Sequence, residues 1–550
     1  MRHFADLFQS LDTTTSTTAK VEAMSAYFET AEPRDAAWAV YILIGRRVKR
    51  NVGPALMRKW LVEEVNLPAW LVEETYASVG DLAETIALLV PNEAAVRPSD
   101  ISLSEWFTAR ILPLTGQDES ERRHQIVGWW RNLHYRECFL VNKLLTGSLR
   151  VGVSRSLVTR ALASCLNRPR IQIERSLMGS WEPSAEFWRT LGTEEGSLDA
   201  TQPYPFHLAS PLQRPAAQLG DRGQWLAEWK WDGIRGQIVR RSNQCALWSR
   251  GEEIITERFP EIVASAGALP DGTVLDGEVV AGSGDRLLPF ASLQQRIGRK
   301  RLTAKYLAEI PARFIAYDLL EFAGNDWRAR PLVERRAQLE RVIQDAAAPA
   351  LSLSSALPAA SWEELAAARE QARARGVEGL MLKEWASAYG AGRQRGAWWK
   401  WKNDPFVVDG VLLYASPGHG RRSNLYTDYT FGVWHAQVLV PIAKAYSGLT
   451  DAEIRRLDRW IRKHTKEKFG TVRSVEPVQV FELAYEGIAQ SSRHKSGIAL
   501  RFPRLVRWRT DKLPADANTL ADLHQVLADQ LVLRHAKAPM QSCLRGAAKK

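Results

Sequence analysis

Near residue 200 the periodicity of this 550-residue chain changes, and that change dictates how it can be divided. Before it, β-like alternation is hard to find, while helical spacing recurs, as in Leu56, Trp60, Leu61 and Val65. Residues 135–166 read as two amphipathic helices broken at Gly147. Between 197 and 214 the pattern fails in a stretch holding three prolines and several turn formers, a predicted linker. Beyond it, short β-like runs appear at 237–242, 246–250, 273–282 and 313–322. Helices are predicted over 331–346 and 361–376, the second opening on Ser361 with Glu364 three residues later. After residue 403, strands at 407–416, 429–446 and 478–487 surround one helix that starts at Thr450 and Glu453. That helix presents Ile454, Leu457, Trp460 and Ile461 on one face, a pattern that suits a small OB-type barrel. The expected architecture is multidomain, with an all-α segment over 1–203, an α+β segment over 204–403 and a β-barrel with a short tail over 404–550.

Several classes drop out. With 45% hydrophobic and 25% charged residues the chain is neither disordered nor fibrous. Its apolar runs, such as 36–45, fall short of the roughly 20 residues needed to cross a bilayer. The first 20 residues lack an apolar core and carry Asp6 and Asp12, so no signal or transit peptide is expected. Cys138, Cys165, Cys245 and Cys543 share no zinc-type spacing, which points to a reducing, cytoplasmic setting. The net charge of +12, from 74 Lys and Arg against 62 Asp and Glu, leans mildly toward a polyanionic partner. A phosphate-binding P-loop is excluded, because no Gly-Lys dipeptide occurs.

The informative residues are Lys230, Asp232, Gly233 and Arg235, a K-x-D-G-x-R run set among aromatics. Alone it reads as a strand end beside a D-G turn. Six further segments follow in order: SRGEE (249–253), LDGEVV (275–280), FIAYDLL (314–320), VEGLMLK (377–383), WWKWK (398–402) and ALRFPRLVRWRTDK (499–512). The series resembles the covalent nucleotidyltransferase motifs of ATP-dependent DNA ligases and mRNA capping enzymes. The ligase resemblance is the closer, since FADLFQSLDTTTSTTAKVEAMSAYF (4–28), LLTGSLRVGVS (144–154), PLVERR (331–336) and LVPIAKAYSGLTDAE (439–453) extend it along nearly the whole chain.

The resemblance implies a helical DNA-binding domain, a nucleotidyltransferase (adenylation) domain and an OB-fold, sealing nicks in duplex DNA. It makes Lys230 the nucleophile that attacks the α-phosphorus of ATP, leaving a lysyl-AMP. A lysine is neutral only about one time in a thousand near neutral pH, so nearby cations such as Arg235, Lys400 and Lys402 would help by favouring the free amine. Glu228 matches the position that reads the adenine edge, Tyr317 the one that stacks on adenine, and Arg235 and Arg250 those that hold sugar and phosphate. Lys400 and Lys402 would grip the α-phosphate, and Arg395 matches a nucleotide-contacting arginine. Glu278 and Glu378 suit Mg²⁺, with Mn²⁺ as the alternative, and Glu278 also the ribose hydroxyls. Arg501, Arg507, Arg509 and Lys512 are candidates to orient the leaving pyrophosphate. Lys143, Arg150 and Gly152 lie where the family's helical domain meets the DNA backbone.

The bland reading of each residue is an ordinary surface or core side chain, and only the ordered set outweighs it. The competing functions are an RNA ligase or capping-type enzyme, which would lack the large helical segment, and an inactive DNA-binding scaffold, which need not retain Lys230, Glu278, Glu378, Lys400 and Lys402. An NAD-dependent ligase would carry a four-cysteine zinc module, which is absent here. The expected partners are nicked double-stranded DNA and ATP, with no membrane. The expected enzyme is a nucleoid-associated monomer, with any repair nuclease or polymerase acting in trans. Linkers near 200–210 and 403–406 would let the domains close on a nick, and the tail beyond about 536 is expected to be disordered.

Overall fold

The computed structural model describes the chain except for residues 47, 49–51, 91–100, 148, 150, 180, 194–199, 284–285, 300, 419–421, 423 and 536–550. Two compact units result: Met1–Arg168 with Pro183–Gly192 and Pro405–Ala528, and Thr193–Asp404 with Pro169–Glu182 and the C-terminal residues from Asp529. Among the described residues no helix is long and apolar enough to cross a membrane.

In the first unit the N-terminal segment is helical. The break at Gly147 is real: helix Tyr135–Thr146 ends there with Gly147 left-handed (φ 64°), and helix Arg155–Cys165 follows. The β part is a curled sheet built on the long strand Phe406–Pro417. One edge of that strand pairs with Tyr426–His435; on the other, its first half pairs with Val480–Tyr485 and its second half with Val472–Val475. The helix Asp451–Lys463 begins at a reciprocal capping box between Thr450 and Glu453 and drives Leu457 and Ile461 into the sheet's core. A second helix, Leu520–His535, was not anticipated from the sequence. Its signals are Leu520, Leu523 and Leu527 at helical spacing, which pack on the same core, and mutual capping between Thr519 and Asp522.

The second unit has two sheets. The larger orders its main strands as Leu351–Leu353, Ala312–Phe322, Thr273–Ser283, Ile234–Arg241 and Gln244–Ser249. The smaller orders Ser210–Pro211, Trp398–Lys402, Gly379–Glu384 and Trp225–Trp229. Period-two alternation sends Leu275, Val279, Ile238 and Phe314 to a core shared with helix Leu332–Ala346. On the smaller sheet, Trp225, Ala227, Trp229, Leu380 and Leu382 pack outward with Leu365 of helix Trp362–Glu370. That helix stops at Glu370, short of the predicted Gly376, and the chain reaches Gly376 through turns.

The predicted linker at 197–214 needs correcting from Tyr204 onward. Tyr204 is buried, exchanges backbone hydrogen bonds with the Gln237 side chain and donates its hydroxyl to Glu321 at 2.6 Å. His207–Leu208 and Ser210–Pro211 form short strands in this unit. The prolines mark bends in a strap that packs, because the aromatics between them have a core to enter.

Candidate active site

The inward faces of the two sheets carry the polar residues that alternation denies to the cores. From the strand Trp225–Trp229 and the residue after it come Glu228 and Lys230, from Gly379–Glu384 Lys383, and from Trp398–Lys402 Lys400 and Lys402. The larger sheet offers Arg235, Asp276 and Glu278, with Arg235 directly opposite Glu278.

Lys230 is fixed by its backbone, its N–H donating to the Gly379 carbonyl and its carbonyl accepting from Glu378 N–H, both at 2.8 Å. Its ammonium pairs with Glu378, and Lys402 Nζ lies 3.7 Å from the same carboxylate oxygen. Two glycines make this approach possible. A Cβ on Gly233 would stand 2.3 Å from the Val279 carbonyl and 2.8 Å from Glu278 Cγ; one on Gly379, at φ +132°, would stand 2.4 Å from the Trp401 carbonyl. The glycine in K-x-D-G is therefore the residue that lets the turn after Lys230 lie against Glu278.

Glu278 is lifted to about 8, first by burial; Lys230 and Arg235 pull it down only in part. Lys400 is lowered by burial and by Arg393, Lys230, Lys402 and Arg250, the electropositive setting expected around a nucleophilic lysine. Arg235 is held bidentate by buried Asp276 at 3.2 and 2.7 Å, and Tyr389 donates to Asp276 at 2.7 Å. Tyr317 has no simple partner across the ladder. Gly277 pairs with Ala316 and Asp276 with Asp318, so Tyr317 is the extra residue of a β-bulge, a device that re-aims a side chain. Lys383 Nζ lies 4.3 Å from its ring centroid.

Other candidates are placed differently. Glu228 is buried with its two oxygens held by Arg336 at 2.7 Å and Lys383 at 2.6 Å, a cation pair that the sequence reading did not assign. Both cations lie inside quoted segments, PLVERR and VEGLMLK, which was the available signal. Arg250 is exposed but bonded through its N–H to the Arg235 carbonyl at 2.8 Å. Arg395 is exposed in the turn before Trp398. The C-terminal cations belong to the first unit and pair with its acids: Arg507 with Glu482 at 3.0 Å, Arg509 with Asp511 at 2.7 Å, and Lys512 with Asp409 at 2.5 Å. Arg501 lies over the Phe502 ring. Lys143 does not present itself at a surface: it is buried in its helix and paired with Asp81. The Gly152 turn is packed so closely that a Cβ would meet Lys20 Nζ at 2.9 Å, and Arg150 lies outside the described residues.

His207 was missed by the sequence reading. It is buried, stacked on Trp398 at 4.5 Å, and accepts the Gly390 N–H at Nδ1 (2.9 Å). Burial, with Arg235 next, lowers it to about 4. Between pH 6.5 and 4 the unfolded chain therefore binds the proton and the folded one does not, so stability falls on acidification across that window. The full drop is about 3 kcal/mol. Thermal unfolding scanned from pH 7 to 4 should show that loss, and His207→Phe, which keeps the stack without the titration, should flatten it. An unchanged pH slope in the variant would disprove the assignment.

The donor set suits a divalent cation. Glu278 of strand Thr273–Ser283 and Glu378, the residue before strand Gly379–Glu384, are hard oxygen ligands supplied by the two sheets, and Glu278 is a half-buried carboxylate whose charge burial disfavours despite Lys230 and Arg235. Two carboxylates fit an ion that completes its shell with substrate phosphates and water.

Comparison with known proteins agrees with this construction. The family description "ATP dependent DNA ligase domain" matches residues 207–402, "DNA ligase N terminus" residues 1–163, and "ATP dependent DNA ligase C terminal region" residues 422–512. A probable DNA ligase of Koribacter versatilis is 30% identical over 96% of this chain and 97% of its own length. A DNA ligase of Natronomonas pharaonis is 33% identical over 86% of this chain and 88% of its own. A probable DNA ligase of Opitutus terrae is 38% identical over 70% of this chain, a match that spans 44% of that relative. The solved structure Pmar-Lig_PreS3 shares the fold, with a TM-score of 0.61 at 16% identity over 92% of this chain and 99% of that one. Motif order, a lysine held among acids and cations between two sheets, and full-length relatives converge: the chain belongs to the ATP-dependent DNA ligase family, whose enzymes seal nicks through an adenylated intermediate.

Proposed function

We propose that Lys230 is the adenylated residue and that the chain seals nicks in duplex DNA in a Mg²⁺-assisted reaction. The carrying observation is the Lys230–Glu378 pair beside half-buried Glu278, whose carboxyl is raised by burial. A cation held by Glu278 and Glu378 would neutralise substrate phosphates and draw Glu378 away from Lys230. Lys400 and Lys402, on the same strand face, then favour the free amine and hold the α-phosphate. The amine attacks the α-phosphorus and pyrophosphate leaves, oriented by Arg501, Arg507, Arg509 and Lys512 of the β domain. AMP then moves from Lys230 to the 5′-phosphate of the nick, and the 3′-hydroxyl displaces it to close the strand.

In this reading Tyr317 stacks on adenine, and Arg235, Arg250 and Arg395 hold sugar and phosphate. Glu228 reads the adenine edge from within its Arg336–Lys383 clamp, which fixes its orientation. Gly152 and Arg150 approach the DNA backbone, whereas buried Lys143 supports the preceding helix, Tyr135–Thr146, from inside. The three segments 1–203, 204–403 and 404–550 act as domains that close on the nick, and the enzyme works as a monomer on nucleoid DNA.

Incubation with α-labelled ATP, GTP or NAD in the presence of Mg²⁺ tests this. Label should pass from ATP to protein, survive denaturation, and disappear when the metal is chelated. Transfer from GTP but not from ATP would assign the chain to the capping type.

A further inference from the structure

The net charge of +12 is not spread evenly. Residues 455–473 hold Arg455, Arg456, Arg459, Arg462, Lys463, Lys466, Lys468 and Arg473 against only Asp458 and Glu467, so 19 residues carry half of it. None of the catalytic roles above uses this segment.

The structure arranges these cations in two adjoining pieces of the β domain. The first is the outer face of helix Asp451–Lys463, whose inner face is spent on Ile454, Leu457 and Ile461. Arg455, Arg459 and Lys463 recur every fourth residue and are all exposed, giving one row along the helix. The second is the hairpin that follows directly, Thr465–Phe469 paired with Val472–Val475. Lys466 and Lys468 are exposed on it, and Phe469 at its tip is 57% exposed. Arg462 is neutralised by Asp458 at 2.8 Å, but Arg455, Arg459, Lys463, Lys466 and Lys468 make no ion pair among the described residues. Arg456 stacks on Trp508 at 4.9 Å, which joins the helix to the strand bearing Arg507. Of the acids nearby, Asp451 and Glu453 are confined to the first turn, Glu476 is taken by His464 at 3.0 Å, and Glu74 lines a cavity with Arg462, Arg473 and the hairpin turn, away from the Arg455–Lys463 row.

Holding free cations side by side is unfavourable unless a polyanion covers them. From Arg455 to Lys463 the helix runs about 12 Å, a length over which duplex DNA carries roughly seven phosphate charges. An exposed aromatic beside lysines on a hairpin tip suits insertion along a groove. We propose that helix 451–463 and the 465–475 hairpin form a sequence-independent docking surface for the phosphate backbone of duplex DNA, separate from the adenylation chemistry. The proposal rests on the reading of the chain as a DNA-joining enzyme.

The test uses the full chain, a nicked duplex and a salt titration of binding. Two variants are compared with the parent: Arg455→Ala/Arg459→Ala/Lys463→Ala on the helix and Lys466→Gln/Lys468→Gln on the hairpin. Self-labelling by ATP should be unchanged in both, which separates this surface from the catalytic assignment. The slope of log affinity against log salt should fall by about 2.7 in the helix variant and about 1.8 in the hairpin variant. For the helix variant, the affinity lost between 50 and 200 mM salt would then be about 40-fold smaller than for the parent. Parental slopes in both variants, with self-labelling intact, would overturn the proposal. Failure of the parent itself to label with ATP would instead overturn the catalytic reading.

Discussion

Lys230→Ala is expected to abolish self-adenylation and with it nick sealing from ATP, by about 10⁴-fold or more, the scale on which a covalent nucleophile is missed. Denaturing gels of labelled protein give the direct measure. The variant should still bind nicked duplex, since Lys230 is not among the residues proposed to contact the DNA backbone. The structure sharpens the control. Lys230 is held in place by its backbone pairing to Glu378 and Gly379, so truncation leaves the strand intact and removes only the amine. It does leave Glu378 short of one cation, with Lys402 still 3.7 Å away. Lys402→Ala should therefore weaken adenylation by a smaller factor, and in the same assay. A labelled adduct persisting in Lys230→Ala would move the nucleophile elsewhere.

The second large effect is on stability. Arg335 and Asp318 are both fully buried and form a bidentate pair at 2.8 and 3.0 Å, and Arg335 also donates to the Ser387 carbonyl at 2.9 Å. Arg335→Met would strand the Asp318 carboxylate in the core next to the Tyr317 bulge. Breaking such a pair from one side costs about 3–5 kcal/mol. For a unit of roughly 200 residues that corresponds to a melting temperature lower by roughly 6–20 °C. The paired change Arg335→Met/Asp318→Leu should recover much of the loss, because no lone charge remains. Calorimetry of the three proteins decides it: a loss below about 1 kcal/mol in the single variant would show that the pair contributes nothing net. Adenylation should fall in the single variant too, since the bulge that aims Tyr317 is anchored at its neighbour Asp318.

Much of the site was legible beforehand because its chemistry is carried by residues close together in the sequence. Lys230 and Gly233 share one turn, Glu378 and Lys383 share one strand and the residue before it, and Lys400 and Lys402 sit two apart in one strand, where period two puts them on one face. Gly233 illustrates the limit. Its presence was visible in the motif, but its reason, a carbonyl 2.3 Å from any Cβ, comes from a strand more than 40 residues away. Likewise Lys143 sits at a helix position that could face solvent, and only the packing of Asp81 beside it makes it internal.

The sequence by itself determined the order of helical, mixed and β segments, and its motif resemblance singled out Lys230 and the acids and cations proposed around it. Those follow from local periodicity and from motifs whose members are neighbours in the chain. Tertiary structure alone decided that Glu228 is clamped between Arg336 and Lys383, that Tyr317 lies at a bulge, and that the Pro-rich strap is packed core. It also separated the cations that are already paired with acids from the exposed row on helix 451–463. Burial and long-range pairing set those outcomes, and neither leaves a trace in the spacing of residues along the chain.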